Sequence, residues 1–173
     1  MGALLLATPV LSSCGFNYAT DRINTTQHGA TNRDKDVDVL AAVIIAEQPG
    51  TGTLSGRLVN NDSEATELVS IEGTDATLSV TDIESTEIGA GGAVAVADLG
   101  EGIRIDGDFR PGNMVPLTMT FANGDQVALE VPVVKACDVY ADVEQAPAIE
   151  TASGEAETDA ETYSCETETE GGH

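Results

Sequence analysis

Between Val37 and Val134 the chain sets short apolar runs against polar, glycine-rich breaks, and that rhythm predicts strands. Val37 to Ala46 (VDVLAAVIIA) is apolar on both parities beyond Val39. A buried helix segment would read the same way, but the β-branched content and the Gln48-Pro49-Gly50 stop predict a central strand. Thr53 to Asn60 alternates and ends in the turn cluster Asn60-Asn61-Asp62. Glu67 to Glu72 and Thr77 to Ile83 follow, separated by Gly73-Thr74-Asp75. Next come Thr86 to Ile88, a Gly89-Ala90-Gly91-Gly92 break, Ala93 to Ala97, and Ile103 and Ile105 flanking Arg104. No long segment carries the helical period. Short strands separated by frequent turn signals indicate an all-β sandwich or barrel.

The last two strands also predict a register. Leu117, Met119 and Phe121 share one face, as do Val127, Leu129 and Val131. A two-residue Asn123-Gly124 turn would set Phe121 opposite Gln126 and mix apolar with polar positions on each face. A three-residue loop, Asn123 to Asp125, pairs Phe121 with Val127, Met119 with Leu129 and Leu117 with Val131. The expectation is that longer loop, or an Asn-Gly turn with an adjacent bulge.

Composition limits what such a domain can do. The 173 residues include 41% apolar but only 3% aromatic and no Trp, so the core must rest on Val, Ile, Leu and Ala. The net charge is −23. Eleven of the 30 acids and none of the 7 bases follow Lys135, which leaves the first 135 residues at −12. Both parts repel phosphate, and no basic patch with aromatics is present, so nucleic acid is excluded as a partner. Adsorption to anionic lipid through protein charge is excluded on the same grounds.

The N-terminus reads as an address. Ala3 to Leu11 is too short to span a bilayer but suits the apolar core of a signal peptide. It ends in Leu11-Ser12-Ser13-Cys14, which resembles a bacterial lipobox. The resemblance implies cleavage before Cys14 and acylation of that residue, with a palmitate-type chain among those attached, on the extracytoplasmic face of the cell membrane. A buried Cys ending an apolar strand is the competing reading. No Lys or Arg precedes the apolar run, so residues 1–13 are read as a signal peptide truncated at its N-terminus. Residues 14–35 are then the lipidated Cys and a flexible tether, 36–135 the sandwich, and 136–173 an acidic, mostly disordered tail. Asp34, Asp36 and Asp38 imitate the start of a calcium loop, but Val39 and Ile45 stand where it needs Gly and Glu, so a solvated loop is expected. His28 sits alone in the tether. The Asn24-Thr25-Thr26 triplet carries little weight in a bacterial lipoprotein.

Several segments together resemble the periplasmic copper chaperones of the PCuAC type. These are Arg110-Pro111-Gly112-Asn113, the Val115 to Phe121 run VPLTMTF, and Val131-Pro132-Val133. Upstream, Leu58 to Asn61 with Glu67 to Val69, and Ile88 to Gly92 with Val94, extend the likeness over roughly residues 37–134. The resemblance implies a Greek-key, immunoglobulin- or cupredoxin-like β-sandwich, and with the lipobox it extends to the LpqE-type lipoproteins of actinobacterial envelopes. The family holds copper with His and Met, a soft donor set suited to Cu(I). The resemblance places one ligand in the strand near Ala76 to Val80 and a His-x-Met pair near Gly102 to Arg104. Between His28 and Met114 this chain has neither His nor Met. No metal or cofactor site is therefore assigned. Met119 is read as core, Met114 as a lone thioether and Arg104 as a surface cation.

Setting Cys14 aside leaves Cys137 and Cys165, an even pair that predicts a disulfide in an oxidising compartment. No catalytic residues are assigned: His28 and His173 fall in the expected flexible ends, and no Ser/His/Asp or Cys/His set assembles. The function expected is a monomeric, non-enzymatic, lipid-anchored lipoprotein whose sandwich binds an envelope protein or glycan. A copper chaperone with relocated ligands is the alternative.

Overall fold

Burial on both parities decides which strand lies in the middle. In the computed structural model, which describes residues 29–74, 78–81, 83, 85–146 and 163–165, Ala42 to Ala46 are all buried. They belong to β2 (Val37–Gln48), which pairs antiparallel with β3 (Thr51–Asn60) and parallel with the end of β10 (Gln126–Lys135). The remaining strands are β1 (Ala30–Asn32), β4 (Thr66–Gly73), β5 (Ser79–Val80), β6 (Glu87–Ile88), β7 (Ala93–Ala95), β8 (Ile103–Asp106) and β9 (Met114–Phe121). The sheet order is β5-β8-β3-β2-β10-β9-β4-β6, with β1 on β2 and β7 on β3.

β10 belongs to both halves of the molecule. Its Gln126–Pro132 stretch pairs with β9, and its Val133–Lys135 stretch pairs with β2. The sheet curls over at this strand, so its two halves face each other as a Greek-key β-sandwich. The β3–β4, β4–β5, β5–β6, β6–β7 and β8–β9 connections each carry the chain from one half to the other. Ile44, Leu54, Leu58, Ile103 and Ile105 face Leu68, Ile71, Leu117, Met119, Phe121 and Val127 in one core cluster. Each such fully buried side chain contributes about 1.5–3 kcal/mol through removal from water. Met119 is fully buried, as its parity predicts.

The β9–β10 hairpin keeps the expected faces but not the expected partners. Met119 pairs with Val127, Leu117 with Leu129 and Val115 with Val131, a slip of two residues from the predicted register. A slip of two preserves parity, so the apolar side chains still share the core face. The loop has three residues, but they are Ala122, Asn123 and Gly124. Gly124 N–H donates to Phe121 C=O at 3.0 Å, and Phe121 N–H donates to Asp125 C=O at 2.9 Å. The last loop position needs left-handed backbone, and Gly124 supplies it at φ 90°. The predicted loop would have put Asp125 there.

β1 corrects the expectation of a tether running to Lys35. Between Leu40 and Val43, β2 carries one more residue than the β3 stretch it faces. The bulged Ala41 has φ 51°, and its N–H leaves the ladder and donates to Thr31 Oγ1 at 3.1 Å. A Cβ on Gly29 would stand 2.6 Å from the Ala41 carbonyl carbon. β1 thus exists as a cap on the bulge, a tertiary reason with no local sequence pattern.

Two other boundaries differ. The Ala93 to Ala97 run stops at Ala95 and turns into a single 3-10 turn, Val96–Asp98, which drops Val96 into the core. At the far end, a second such turn, Asp138–Tyr140, and the strand-free residues 141–146 continue past β10, and Ala146 is buried. Residues 136–146, the start of the segment expected to be mostly disordered, are therefore placed against the domain, with Ala146 buried and Val139 exposed. Residues 147–162 and 166–173 lie outside the described residues, as do 1–28 with Cys14 and His28.

Asn60, at the end of β3, has no exposed surface. Its Nδ2 donates to the carbonyls of Glu64 at 2.8 Å, Ile88 at 3.1 Å and Gly89 at 3.3 Å, while Oδ1 accepts from Asp62 N–H at 3.0 Å. One amide group thus ties β3, the loop after it and β6 together.

Candidate functional site

The strands that carry the ends of the two segments to which the PCuAC resemblance assigns ligands are neighbours. β5 pairs with β8, Ser79 across from Asp106 and Val80 across from Ile105. The side chains they bring together are not soft donors. Ile103 and Ile105 point into the core, so Arg104 and Asp106 share the outer face. Thr53 pairs directly with Arg104, and Thr51 with Asp106, which puts both threonines on that face as well. Among the described residues no three of His, Cys, Asp and Glu are grouped to hold a metal ion.

What occupies this place is a polar cluster. Arg104 Nε donates to both carboxylate oxygens of Asp106 at 3.0 Å, and the Thr51 hydroxyl donates to Asp106 Oδ1. The side chains of Arg104 and Asp106 are only 14% and 11% exposed. Arg104, standing where the resemblance places a ligand, is therefore not the surface cation expected there. The available signal was the spacing: residues i and i+2 of a strand lie on one face, and here they carry opposite charges and alternate with the inward Ile103 and Ile105.

The cluster is roofed. The Thr53 hydroxyl accepts from Ala146 N–H at 2.8 Å and donates to Gln145 Oε1 at 3.0 Å. Arg104 Nη1 donates to Ala146 C=O at 3.5 Å, and Gln145 Nε2 donates to Val143 C=O at 3.3 Å. Thr53 is also paired with Ile45 on β2, so residues 143–146 run across the outer face as a strap. Nothing in the sequence pattern marked Gln145 or Ala146 for this contact.

Cys137 and Cys165 are joined by a disulfide, their Cα atoms 5.5 Å apart. Next to it, Lys135 Nζ donates to Ser164 C=O at 3.1 Å, and Tyr163 packs against the core. Met114, at the start of β9, is 55% exposed. It borders a shallow depression of about 210 Å³ lined also by Leu78, Asp108, Phe109 and Asn113. Cys14, His28 and His173 fall outside the described residues, so the lipidation site has no structural account. No described helix is long and apolar enough to cross a membrane.

The sequence matches no protein-family model and no curated protein. Among solved structures, the fold is similar to an apo PCuAC domain from PmoF1, at 12% identity and a TM-score of 0.47, over 60% of this chain and 97% of that one. The copper-bound PCuAC domain from PmoF2 gives the same identity, coverage and TM-score. The apo PmoF2 PCuAC domain is 14% identical over 61% of this chain and 94% of that one, again with a TM-score of 0.47. These domains are of the type that the strand motifs resemble.

Proposed function

We propose that this chain is a lipid-anchored lipoprotein of the extracytoplasmic membrane face, related to the LpqE type, whose non-catalytic β-sandwich binds an envelope protein or glycan. The observation that carries this reading is the division of the three cysteines. The disulfide uses Cys137 and Cys165, which fits an oxidising compartment. Cys14 is left at the end of a short apolar run, after two serines. Acyl chains gain about 0.8 kcal/mol per buried CH₂, and two or more of them hold a protein stably at a bilayer. Metabolic labelling with an alkyne fatty acid is the test. The wild type takes the label and Cys14→Ala does not; equal labelling of both removes the anchor.

A second reading, a copper chaperone with relocated ligands, draws on the exposed thioether of Met114. A single soft donor holds Cu(I) poorly. The polar cluster on β8 offers hydroxyls, a guanidinium and a carboxylate, none of them suited to Cu(I). Titration of residues 15–173 with Cu(I) is expected to give no binding at micromolar concentration. Tight binding lost in Met114→Leu would establish the second reading instead.

A further inference from the structure

We infer that the outer face of β3 and β8 is a recognition groove for an extended peptide segment, filled in this structure by the chain's own Gln145–Ala146. The groove reads backbone. Ala146 N–H is accepted by Thr53 Oγ1, Ala146 C=O is met by Arg104 Nη1, and the side-chain amide of the preceding residue is met by the same Thr53 hydroxyl. It also selects a small side chain. Ala146 is 4% exposed, and its Cβ lies 3.3 Å from where a Cβ on Gly102 would be. The partner class is thus an extended segment carrying a small residue after an amide residue.

The energetics favour an exchangeable occupant over a permanent seal. A largely buried ion pair adds little stability compared with an apolar pair of the same volume. Here it holds Arg104 in place: Asp106 grips Nε with both oxygens and is itself held by the Thr51 hydroxyl, leaving Nη1 to meet a carbonyl. Residues 143–146 have no strand or helix of their own, and among the described residues they are held to the groove by bonds to Thr53 and Arg104. The two bonds to Thr53 are neutral and contribute about 1 kcal/mol each, and the charge-assisted bond from Arg104 is long, at 3.5 Å. A tethered occupant competes at roughly millimolar effective concentration, which is enough to fill the groove until a better segment arrives. This inference rests on the reading of the sandwich as a partner-binding domain and is independent of the anchor on Cys14.

The test uses the full chain with Ala146→Arg, whose side chain cannot enter beside Gly102, and a fluorescent peptide of residues 142–148, DVEQAPA. The peptide should bind this variant at least roughly tenfold more tightly than the wild type, where the cis segment competes. Adding Thr53→Val should abolish that gain. Equal binding to wild type and variant, or binding to neither, overturns the inference. Amide exchange on the wild type gives a second reading that needs no variant. Ala146 N–H should exchange at least roughly tenfold faster than Leu54 N–H in the ladder. Equal protection makes the strap a fixed part of the fold and also overturns the inference. Either failure leaves acyl labelling at Cys14 unchanged, so loss of the groove and loss of the anchor are told apart.

Discussion

Asn60→Ala lowers the unfolding free energy by about 3 kcal/mol, and the melting temperature by about 10–20 °C for a domain of this size. The substitution removes four hydrogen bonds at a side chain with no exposed surface. It also takes the side-chain partner away from the buried carbonyl of Ile88 and from the part-buried N–H of Asp62. Stranded buried polar groups cost about 1–3 kcal/mol each, more than the bonds themselves contribute. Asn60→Asp fares no better, because a carboxylate cannot donate to three carbonyls. The exposed neighbour Asn61 is the control, and Asn61→Ala stays within about 0.5 kcal/mol. Thermal unfolding followed by circular dichroism measures all three. A small effect at Asn60 would mean that the β3–β6 tie is not a structural latch.

Phe121→Ala lowers stability by about 3–5 kcal/mol. Among the described residues Phe121 is the largest fully buried side chain, at 1% exposure, and it pairs with Leu68 on β4. The chain has three Phe and no Trp, so this core has little other aromatic bulk to close the cavity. Its N–H also closes the β9–β10 loop on Asp125. Natural domains hold only about 5–15 kcal/mol in total, so the variant sits near the unfolding threshold. Phe121→Leu keeps most of the volume and loses about 1–1.5 kcal/mol. Urea denaturation separates the two. Equal losses would place Phe121 at a yielding edge of the core and not at its centre.

The sequence carried the parts of the fold that repeat and missed those that depend on a distant partner. Val37 to Ala46 was legible as a central strand because burial on both sides demands apolar residues on both parities. The β9–β10 faces were legible because alternation fixes parity, yet parity leaves shifts of two residues open. The choice among those shifts fell to Gly124, the loop residue that takes left-handed backbone without strain. β1 was illegible: Ala-Thr-Asn has no pattern, and its reason is the N–H of Ala41, ten residues away. At the candidate site, the absence of His and Met was plain in the sequence. The pairing of Arg104 with Asp106 could have been read from their i, i+2 spacing. The strap could not, since its contacts join residues 93 and 42 positions apart. Strand-forming positions speak through their neighbours, whereas polar contacts across the fold leave no local trace.

The most direct test of the anchored-lipoprotein reading is the intact mass of the protein extracted from membranes without reductant. The account predicts a chain beginning at Cys14, heavier by its acyl groups and lighter by the two hydrogens of the Cys137–Cys165 disulfide. A protein that retains residues 1–13 and carries a free thiol at Cys14 would contradict it.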